Sequence, residues 1–356
     1  MPPNPRSPRS PRIPDIAQLS GVSTATVDRV LNQRAGVRSA TVQRVLQAAA
    51  SLGYLPDTAV QAALQQPPSQ PLRLMVLIPE GSNRFLQMLG DVIGYAQDHW
   101  APFNVRCQAA YIESFNPDAL AKALLHYGKR CDGIAFMALE HPVVREAVAQ
   151  LAEQGVPTVT LISDLSNSRR VAYVGLDNRA AGRTAAYLIA RFMGPLAHTR
   201  QSRVAMIVGS LRYRAHEERE AGFLHLFEEQ FPLVQLVGVR EGQDDAERNY
   251  RQTRLLLEQH GDDLAGIYNI GGGAEGIGRA LKEAGSDRKI VFIGHGLTPD
   301  TRALLIDGTM DAVITQNPQG AVMNCVRIFA NVRDGREPTS GVETTRSQVI
   351  FRENLP

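Results

Sequence analysis

Residues 15–32 (DIAQLSGVSTATVDRVLN) hold side chains whose types and spacing suit hydrogen bonding to a DNA duplex. The sequence predicts two short helices here, because Gly21 breaks the apolar pattern and Ser23 is a good N-cap for a second helix over Thr24–Leu31. Pro14 suits the first turn of the first helix. The outer face of the second helix keeps small, polar and charged residues: Thr24, Ala25, Asp28 and Arg29. This pattern indicates a helix-turn-helix, whose second helix lies in the major groove.

A third helix and a small apolar core are predicted to position that face. The third helix spans Ser39–Leu52 and is ended by Gly53. Apolar residues of the first two helices are expected to share one core: Ile16, Leu19, Val22, Val27, Val30 and Leu31. The third helix adds its inner face: Val42, Val45, Leu46 and Ala49. We therefore place a helical head at residues 13–56, after a basic arm at 1–12 whose proline and serine content predicts disorder.

The charge distribution sets the head apart from the remainder of the chain. Residues 1–72 contain seven arginines and three acidic residues, a net charge of +4, whereas the remaining 31 basic and 33 acidic residues give −2. A basic head on a near-neutral body fits a module that docks on phosphates. With 356 residues and 44% hydrophobic content, the chain suits two or three structural units with their own cores.

The segment GVSTATVDRVLN, followed by GVRSATVQRVLQAAASLGYLP, carries a family resemblance. From Ala17 to Pro56 it resembles, without a gap, the DNA-binding head of the LacI/GalR transcriptional repressors. That family joins a three-helix head to a hinge helix and then to a sugar-binding domain. An unrelated three-helix bundle is the alternative interpretation of the same segment.

Several residues of the head are candidates for contacting DNA. Arg29 is the best candidate base reader, because arginine can bind guanine through two hydrogen bonds, and Asn32 lies at the same helix end. The resemblance places Thr24 and Ala25 at the two specificity positions, where they offer a hydroxyl and a methyl contact. Phosphate contacts, which position the head without specifying sequence, are expected from four residues: Ser23, Thr26, Arg38 and Thr41.

Two positions depart from the family pattern. Asp28 stands where the family commonly has serine, so its carboxylate either pairs within the protein, for example with Arg29, or accepts from a cytosine amine. In the hinge and linker, residues 57–71, Leu64 lies one residue later than the leucine that the family inserts into the minor groove, with Ala63 in its place. Leu64 is the candidate wedge, and its intercalation stays an open alternative.

From residue 72 onwards the pattern changes to short apolar segments that alternate with amphipathic helices. Ten strands are predicted, at 72–78, 105–110, 133–138, 158–162, 172–174, 204–208, 233–239, 266–270, 290–293 and 312–315. Continuous apolar strands with intervening helices predict parallel sheets covered on both faces. Ten strands exceed one ordinary open sheet, so we expect two α/β lobes with a cleft between them. The arrangement resembles the periplasmic-binding-protein type I fold over residues 72–356.

In that fold the chain crosses between the lobes three times, and we place the crossings near residues 176, 316 and 334. The N-lobe is then about 72–176 and 317–333, and the C-lobe about 177–316 and 334–356. Ligands of open α/β sheets bind beyond the C-terminal ends of the strands. The cleft between the two sheets is therefore the expected binding site.

Sugar sites combine planar hydrogen-bonding groups with aromatic faces, because a sugar ring has polar edges and apolar faces. The loop after the first strand resembles that of ribose-type binding proteins, which implies that Asn83 and Phe85 touch the ligand. Phe85 as ordinary helix core is the alternative. Arg219, in the RxxGF segment, resembles an arginine that grips sugar hydroxyls. The alternative for Arg219 is a surface ion pair with Glu217 or Glu220.

Further polar residues are predicted at strand ends and crossings. The resemblance implies cleft positions for three of them: Asn178, Asn269 and Gln316. His295 stands where the family usually has aspartate, which alters the hydroxyls that are accepted and adds a titratable group. Asp164, at another strand end, is a weaker candidate. Gly271-Gly272-Gly273 indicates either close backbone approach to a ligand or a tight turn.

Catalysis, metal binding and secretion find no support in the sequence. No nucleophile–base–acid order, no pair of catalytic carboxylates and no His/Cys metal cluster stands out, so we expect neither an enzyme nor a cofactor. Three widely spaced cysteines, Cys107, Cys131 and Cys325, suggest no disulfide framework and fit a reducing cytoplasm. No apolar run approaches the about 18 residues of a membrane span, and MPPNPRSPRSPR lacks the apolar core of a secretion signal.

The sequence thus predicts a cytoplasmic, homodimeric transcription regulator, most simply a repressor, that binds near-palindromic operator DNA. A monosaccharide or cyclic polyol is the expected small-molecule effector in the interlobe cleft, and no membrane is involved. A solute-binding protein of a sugar transport system is the alternative, although such a protein has no use for a helix-turn-helix. A sugar-modifying enzyme of doubly wound fold is a third class, which no residue constellation supports.

Overall fold

The structure is a computed structural model that describes residues 11–32, 37, 39–55, 70–95, 100, 103–199 and 202–356. Within these ranges the chain forms a helical head followed by two sheets, one parallel and one parallel except at its edge strand, with helices packed against them. The predicted fold class, a small helical head joined to a two-lobed α/β domain, is confirmed. None of the described helices combines the length and the apolar composition that crossing a membrane requires.

The head consists of three helices, α1 (Ile13–Ser20), α2 (Thr24–Leu31) and α3 (Ser39–Ser51). Gly21 ends α1 in the left-handed region at φ 67°, and the Ser23 hydroxyl caps α2 by accepting from the Thr26 N–H at 3.2 Å. The fully buried core residues of the head come from all three helices: Ile16, Val27, Val45 and Ala49. The local capping pattern therefore places the second helix as predicted.

Leu19 corrects the predicted core of the head, because its side chain is 56% exposed. The inner face of α1 is formed instead by Ile16, Ala17 and Ser20. At 3.6 residues per turn, Leu19 lies roughly 100° away from the centre of that face. Ser20 occupies the inner position, where its hydroxyl donates to the Ile16 carbonyl at 2.6 Å and is thereby satisfied.

The first sheet has five parallel strands in the order β2-β1-β3-β4-β5. Its strands are β1 (Leu72–Pro79), β2 (Val105–Ile112), β3 (Gly133–Phe136), β4 (Thr158–Leu161) and β5 (Ala172–Val174). The helices that follow the first three strands are α4 (Arg84–Tyr95), α5 (Pro117–Gly128) and α6 (Pro142–Glu153). Nearly all residues of β1, β3 and β4 are buried, as expected for strands covered on both faces.

The second sheet has six strands in the order β11-β10-β9-β8-β6-β7. They are β6 (Ser202–Val208), β7 (Val234–Glu241), β8 (Leu264–Asn269), β9 (Val291–His295), β10 (Ala312–Thr315) and β11 (Gln348–Ile350). All pairings are parallel except that of β11 with β10. β11 was not predicted, because a strand of three residues, one exposed, one half-buried and one buried, is too short to give a periodic signal.

The remaining helices connect and cover these strands. They are α7 (Asn178–Met193), α8 (Leu196–Thr199), α9 (Arg214–Gln230), α10 (Ala246–His260), α11 (Ala274–Glu283), α12 (Pro299–Asp307) and α13 (Pro318–Arg333), with 3-10 turns at Gly261–Asp263 and Arg352–Asn354. Helix α13 packs into the core of the first lobe, where Val322, Val326 and Phe329 join the residues of β1. The chain therefore passes from the first lobe to the second after β5, returns at α13, and enters the second sheet again at β11.

Candidate effector site and DNA-binding surface

A cavity lies between the two lobes, lined by the loops that follow the strands of both sheets. The space in which the centre of a water molecule can lie is about 70 Å³, several times the roughly 10–15 Å³ that one water requires. Five of the predicted ligand residues line it: Asn83, Phe85, Arg219, His295 and Gln316. Residues that are distant in sequence thus meet at the C-terminal strand ends, as the rule for open α/β sheets predicts.

Arg219 is the buried cation of this cavity, with only 6% of its surface exposed. Its Nε donates to Asn178 Oδ1 and its Nη1 donates to the Ile270 carbonyl, each at 2.9 Å. Burial lowers the pKa of the guanidinium, although arginine stays charged at neutral pH. The alternative of a surface ion pair with Glu217 or Glu220 is therefore wrong, because Arg219 points inwards rather than along the helix surface.

Three predicted ligand residues lie behind the cavity instead of lining it. Asn178 is 1% exposed and holds Arg219 while donating to the Tyr173 hydroxyl at 3.1 Å. Asn269 donates to the Gly272 carbonyl at 3.1 Å, which supports the turn after β8. Asp164 pairs with Arg170 and accepts from the Thr160 hydroxyl. In this structure Asn178 and Asn269 support groups that line the cavity, Arg219 and Gly272, whereas Asp164 is engaged by Arg170 and Thr160.

Two histidines, the buried His216 and the half-buried His295, stand beside Arg219. His295 Nε2 lies 2.7 Å from the Tyr268 hydroxyl, and burial, with a further contribution from Arg219, lowers the pKa of His295 well below its ordinary value. His216, which the sequence analysis did not single out, lines the same cavity. Burial lowers the pKa of His216 to about 4. Both imidazoles are therefore neutral at pH 7.

Two acceptor oxygens of the cavity are buried without a hydrogen-bond partner among the described residues. They are Gln316 Oε1 and Asp300 Oδ2. The Arg84 Nε lies 3.4 Å from Asp300 Oδ2 and forms an ion pair across the cleft. Phe85 supplies an apolar surface, since it both lines the cavity and packs against the first core. The two interpretations of Phe85 are thus compatible.

Asp244 joins the two lobes beside the cavity. Its Oδ2 accepts from the Asn83 amide at 2.9 Å, and its backbone carbonyl accepts from the Ser82 hydroxyl at 2.9 Å. Its Oδ1 accepts from the Gly272 N–H at 2.7 Å, which ties the same carboxylate to the cavity wall. Gln243 and Asp244 both have positive φ, 52° and 58°, a conformation that costs free energy and is maintained only by surrounding contacts.

Further bonds join the lobes on the other side of the cleft. Ser163 Oγ, at the end of β4, accepts from the Ala215 N–H at 3.3 Å. Arg214 Nη1 donates to Ser166 Oγ at 2.9 Å, and the Glu140 N–H donates to the Arg212 carbonyl at 2.9 Å. The lobes are therefore in contact on both sides of the cavity, which corresponds to a closed cleft.

Replacing Asp244 with alanine is expected to open the cleft, because the carboxylate contributes bonds to both walls. Each hydrogen bond to a charged group contributes about 1.5–3 kcal/mol, so we expect effector affinity to fall about ten-fold or more. Small-angle X-ray scattering of the full chain should show an increased radius of gyration. Asp245→Ala is the matched control, since the hydrogen bond of the Asp245 carboxylate is the cap of α10, accepted from the Arg248 N–H, and does not join the lobes. Unchanged scattering and affinity in Asp244→Ala would contradict this role.

The glycine triplet after β8 forms a tight turn at the cavity wall. A Cβ on Gly271 would lie 2.8 Å from the Gly209 nitrogen, and a Cβ on Gly272 would lie 3.2 Å from the Asn83 amide nitrogen. Gly273 adopts φ +66°, which favours glycine. Close packing therefore explains Gly271, against backbone of its own lobe, and Gly272, against Asn83 of the opposite lobe, whereas the positive φ explains Gly273.

The predicted DNA-reading residues of α2 lie on the surface of the head. Ser23, Thr24, Ala25, Arg29 and Asn32 are exposed, whereas Thr26 and Asp28 are half-buried. Asn32 Nδ2 donates to Asp28 Oδ1 at 2.8 Å and to the Asp28 carbonyl at 3.0 Å. The structure thus shows an intramolecular partner of Asp28, Asn32, that the sequence analysis did not name. Thr41 is half-buried on α3, and Arg38 and Leu64 lie outside the described residues.

Comparison with known protein families gives two matches on this chain. Residues 87–337 match the periplasmic binding protein domain, and residues 12–57 match the lacI family of bacterial regulatory proteins. The chain belongs to the LacI/GalR regulators. Its larger part is a periplasmic-binding-protein domain of the ribose-binding type, and its head is a lacI-family helix-turn-helix. Neither domain family consists of enzymes.

Curated relatives of this LacI/GalR chain are sugar-binding proteins. It is 27% identical over 176 residues to the ribose import binding protein RbsB of Haemophilus influenzae, covering 49% of this chain and 57% of that protein. It is 26% identical over 198 residues to the D-allose-binding periplasmic protein of Escherichia coli, covering 53% of this chain and 62% of that protein. The matched regions thus span less than two thirds of either relative.

Solved structures share the fold of the larger domain. A glucose-galactose binding protein, GanP, from Geobacillus stearothermophilus superposes with a TM-score of 0.72 at 23% identity, covering 81% of this chain and all of that chain (100%). A solute binding protein from Burkholderia graminis in complex with D-arabinose gives a TM-score of 0.71 at 21% identity, covering 81% and 98%. At these identities the likeness concerns the fold.

Several charged or titratable residues of the cavity and cleft in this LacI/GalR chain were not predicted from the sequence: Arg84, His216, Asp244, Glu275 and Asp300. Asp300 follows Thr298-Pro299 directly after β9, and a capping segment at a strand end is a signal that could have marked it. His216 and Asp244 lie within or before polar helices, where nothing in the local pattern separates them from ordinary surface residues. Their roles arise from packing between the lobes.

Proposed function

We propose that this protein is a transcriptional repressor whose affinity for operator DNA is controlled by a monosaccharide or cyclic polyol bound in the interlobe cavity. The proposal is supported by the presence, in one chain, of an exposed recognition helix, α2, and of a closed cleft whose buried polar atoms lack hydrogen-bond partners among the described residues. Among the described residues, Gln316 Oε1 is a buried acceptor without a hydrogen bond, and Asp300 Oδ2 has only the 3.4 Å ion pair with Arg84 Nε. A buried acceptor without a hydrogen bond costs free energy, so a ligand hydroxyl donating to each oxygen would stabilise the closed cleft.

A polyhydroxylated ring fits this cavity better than a purely apolar ligand. The wall offers acceptors at Gln316 and Asp300 and a donor at Arg219, and hydroxyl groups can serve both. Phe85 offers an apolar surface to the face of the ring. A sugar is also supported by the relatives, which are named as ribose- and D-allose-binding proteins. A solved structure of the same fold is a complex with D-arabinose.

The DNA-binding side of the proposal requires a homodimer in the cytoplasm. One small head covers too few bases, and two heads related by a two-fold axis match a near-palindromic operator. The effector would act by differential affinity for the closed and open cleft, which shifts the population of the DNA-bound state. The hydrogen bonds of Asp244 to Asn83 and to Gly272 connect the cavity wall to the N-lobe. Closure of the cleft would change the position of the N-lobe through these contacts.

The test starts with selection of DNA by the full chain from a randomised library, followed by binding to the selected site with and without a panel of monosaccharides and polyols. The expected result is enrichment of a near-palindromic sequence and an affinity that at least one sugar changes. Sugar binding without any selected DNA would favour the solute-binding alternative. Selected DNA with no effect of any sugar would overturn the control by an effector.

Arg29→Ala is expected to weaken binding to the selected site and to relax base preference at one position of each half-site. A bidentate arginine–guanine contact discriminates by about 1–3 kcal/mol, which corresponds to roughly ten- to hundred-fold in affinity. Fluorescence anisotropy with labelled DNA measures the change. Arg73→Ala, which removes an exposed arginine paired with Asp132 in the larger domain, serves as the charge-matched control. Equal losses in both variants would argue against base reading by Arg29.

A further inference from the structure

The charge of Arg219 has no counter-charge in direct contact. Its two hydrogen-bond partners, Asn178 Oδ1 and the Ile270 carbonyl, are neutral. The neighbouring imidazoles of His216 and His295 are neutral as well, because burial lowers the pKa of both. A buried cation costs free energy unless it is paired. The Nη2 group remains without an acceptor among the described residues and belongs to a side chain that lines the cavity.

The carboxylates around the cleft are each engaged elsewhere. Glu218 pairs with Arg214 at 2.7 Å, and Asp300 pairs with Arg84 at 3.4 Å. Asp164 pairs with Arg170. Asp244 lies close enough to favour the charged form of Arg219, but its oxygens accept from Gly272 and Asn83. No described acidic side chain lies within 4.0 Å of the Arg219 guanidinium nitrogens.

A further acid that lines the cavity is Glu275, an exposed residue in the first turn of α11. Burial raises the pKa of Glu275, and Asp300 raises it further. An anionic group on a ligand is therefore favoured at Arg219 and disfavoured near Glu275 and Asp300, whose oxygens suit hydroxyl donors. The cavity thus distinguishes a charged end from a hydroxylated end.

We propose that the effector is a sugar acid, a polyol whose carboxylate binds the Arg219 guanidinium while its hydroxyls bind Gln316 and Asp300. The proposal rests on the sugar-effector function above and narrows its chemical class. Arginine and carboxylate form strong charge-assisted hydrogen bonds. A carboxylate fits better than a phosphate monoester, because Arg84 is already paired with Asp300 and Arg219 alone would face a dianion.

The test is isothermal titration calorimetry of the full chain with matched pairs that differ in the acid group: D-galactose and D-galacturonate, D-ribose and D-ribonate, D-glucose and D-gluconate, with D-ribose 5-phosphate beside them. We expect the acid of at least one pair to bind about ten- to hundred-fold more tightly than its neutral partner, the range for a hydrogen bond to a charged group. Tighter binding of the neutral sugars, or of the phosphate, would overturn the sugar-acid proposal and leave the sugar-effector function standing. Binding of none would overturn both.

Two variants locate the charge effect at Arg219. Arg219→Gln should reduce the preference for the acid to near unity, whereas Arg183→Gln, on the surface of α7 and paired with Glu229, should leave it unchanged. His295→Asp supplies a carboxylate beside Arg219 and should reverse the preference towards the neutral sugar. The His295→Asp variant keeps the proposal falsifiable if Arg219→Gln fails to fold. An acid preference that survives in folded His295→Asp would contradict the proposal.

Discussion

Gly182→Ala is expected to lower the free energy of unfolding by about 2 kcal/mol and to weaken effector binding at the same time. A Cβ on Gly182, in α7, would overlap the backbone carbonyl of Arg219, and a Cβ on Gly222, in α9, would overlap that of Arg179. The two helices therefore approach through reciprocal glycine contacts. Overpacking costs about 1–3 kcal/mol and more when backbone must move, which outweighs the roughly 1 kcal/mol that alanine gains in a helix.

The link to function lies in the identity of the contacted residue. Because the displaced carbonyl belongs to Arg219, moving α9 also moves the guanidinium away from Asn178 and the cavity. Urea unfolding followed by circular dichroism, with calorimetry of the effector, measures both effects. Gly94→Ala is the matched control, since a Cβ there meets nothing within 4 Å and alanine should stabilise α4 by up to about 1 kcal/mol. A stabilised Gly182→Ala variant would contradict the contact.

Acidification from pH 7 to pH 5 is expected to cost about 2 kcal/mol of stability at His216, and His295 is expected to change stability in the same direction. The pKa of His216 is lowered from 6.5 to about 4 by burial, and that of His295 falls in the same direction. Between the folded and unfolded values only the unfolded chain binds the proton. This contribution to stability is therefore fully present above pH 6.5 and is lost as the pH falls from 6.5 through the folded pKa of about 4.

Urea unfolding at pH 7, 6 and 5 measures how steeply the free energy of unfolding changes with pH. Substitution of the histidines separates their contribution from that of the carboxylates, which also titrate. The double variant His216→Gln, His295→Gln should lose at least the about 2 kcal/mol of this pH dependence that His216 contributes. His126→Gln, at an exposed position of α5, should keep the wild-type slope. An unchanged slope in the double variant would show that neither imidazole is held neutral by the fold.

The local pattern of the sequence predicted most elements of the fold. The ten predicted strands are all present, and Ser23 caps α2 as its position before Thr24–Leu31 suggested. Strands buried on both faces are continuous apolar runs, and caps act within one helical turn, so both signals lie within a few residues. Leu19 and β11 escaped prediction, because burial and edge pairing there depend on neighbours that are distant in sequence.

The sequence by itself thus determined the helix-turn-helix head, the two-lobed architecture and the set of polar residues near the strand ends. The tertiary structure decided which of those side chains face the cavity. Asn178 and Asn269 turn behind it, Arg219 enters it without a counter-charge, and Asp244 binds Asn83 across the cleft from 161 residues away. The direction of these side chains and their hydrogen-bond partners depend on how the two lobes approach each other. No local pattern of residues encodes the approach of two lobes, because the contacting residues are distant in sequence.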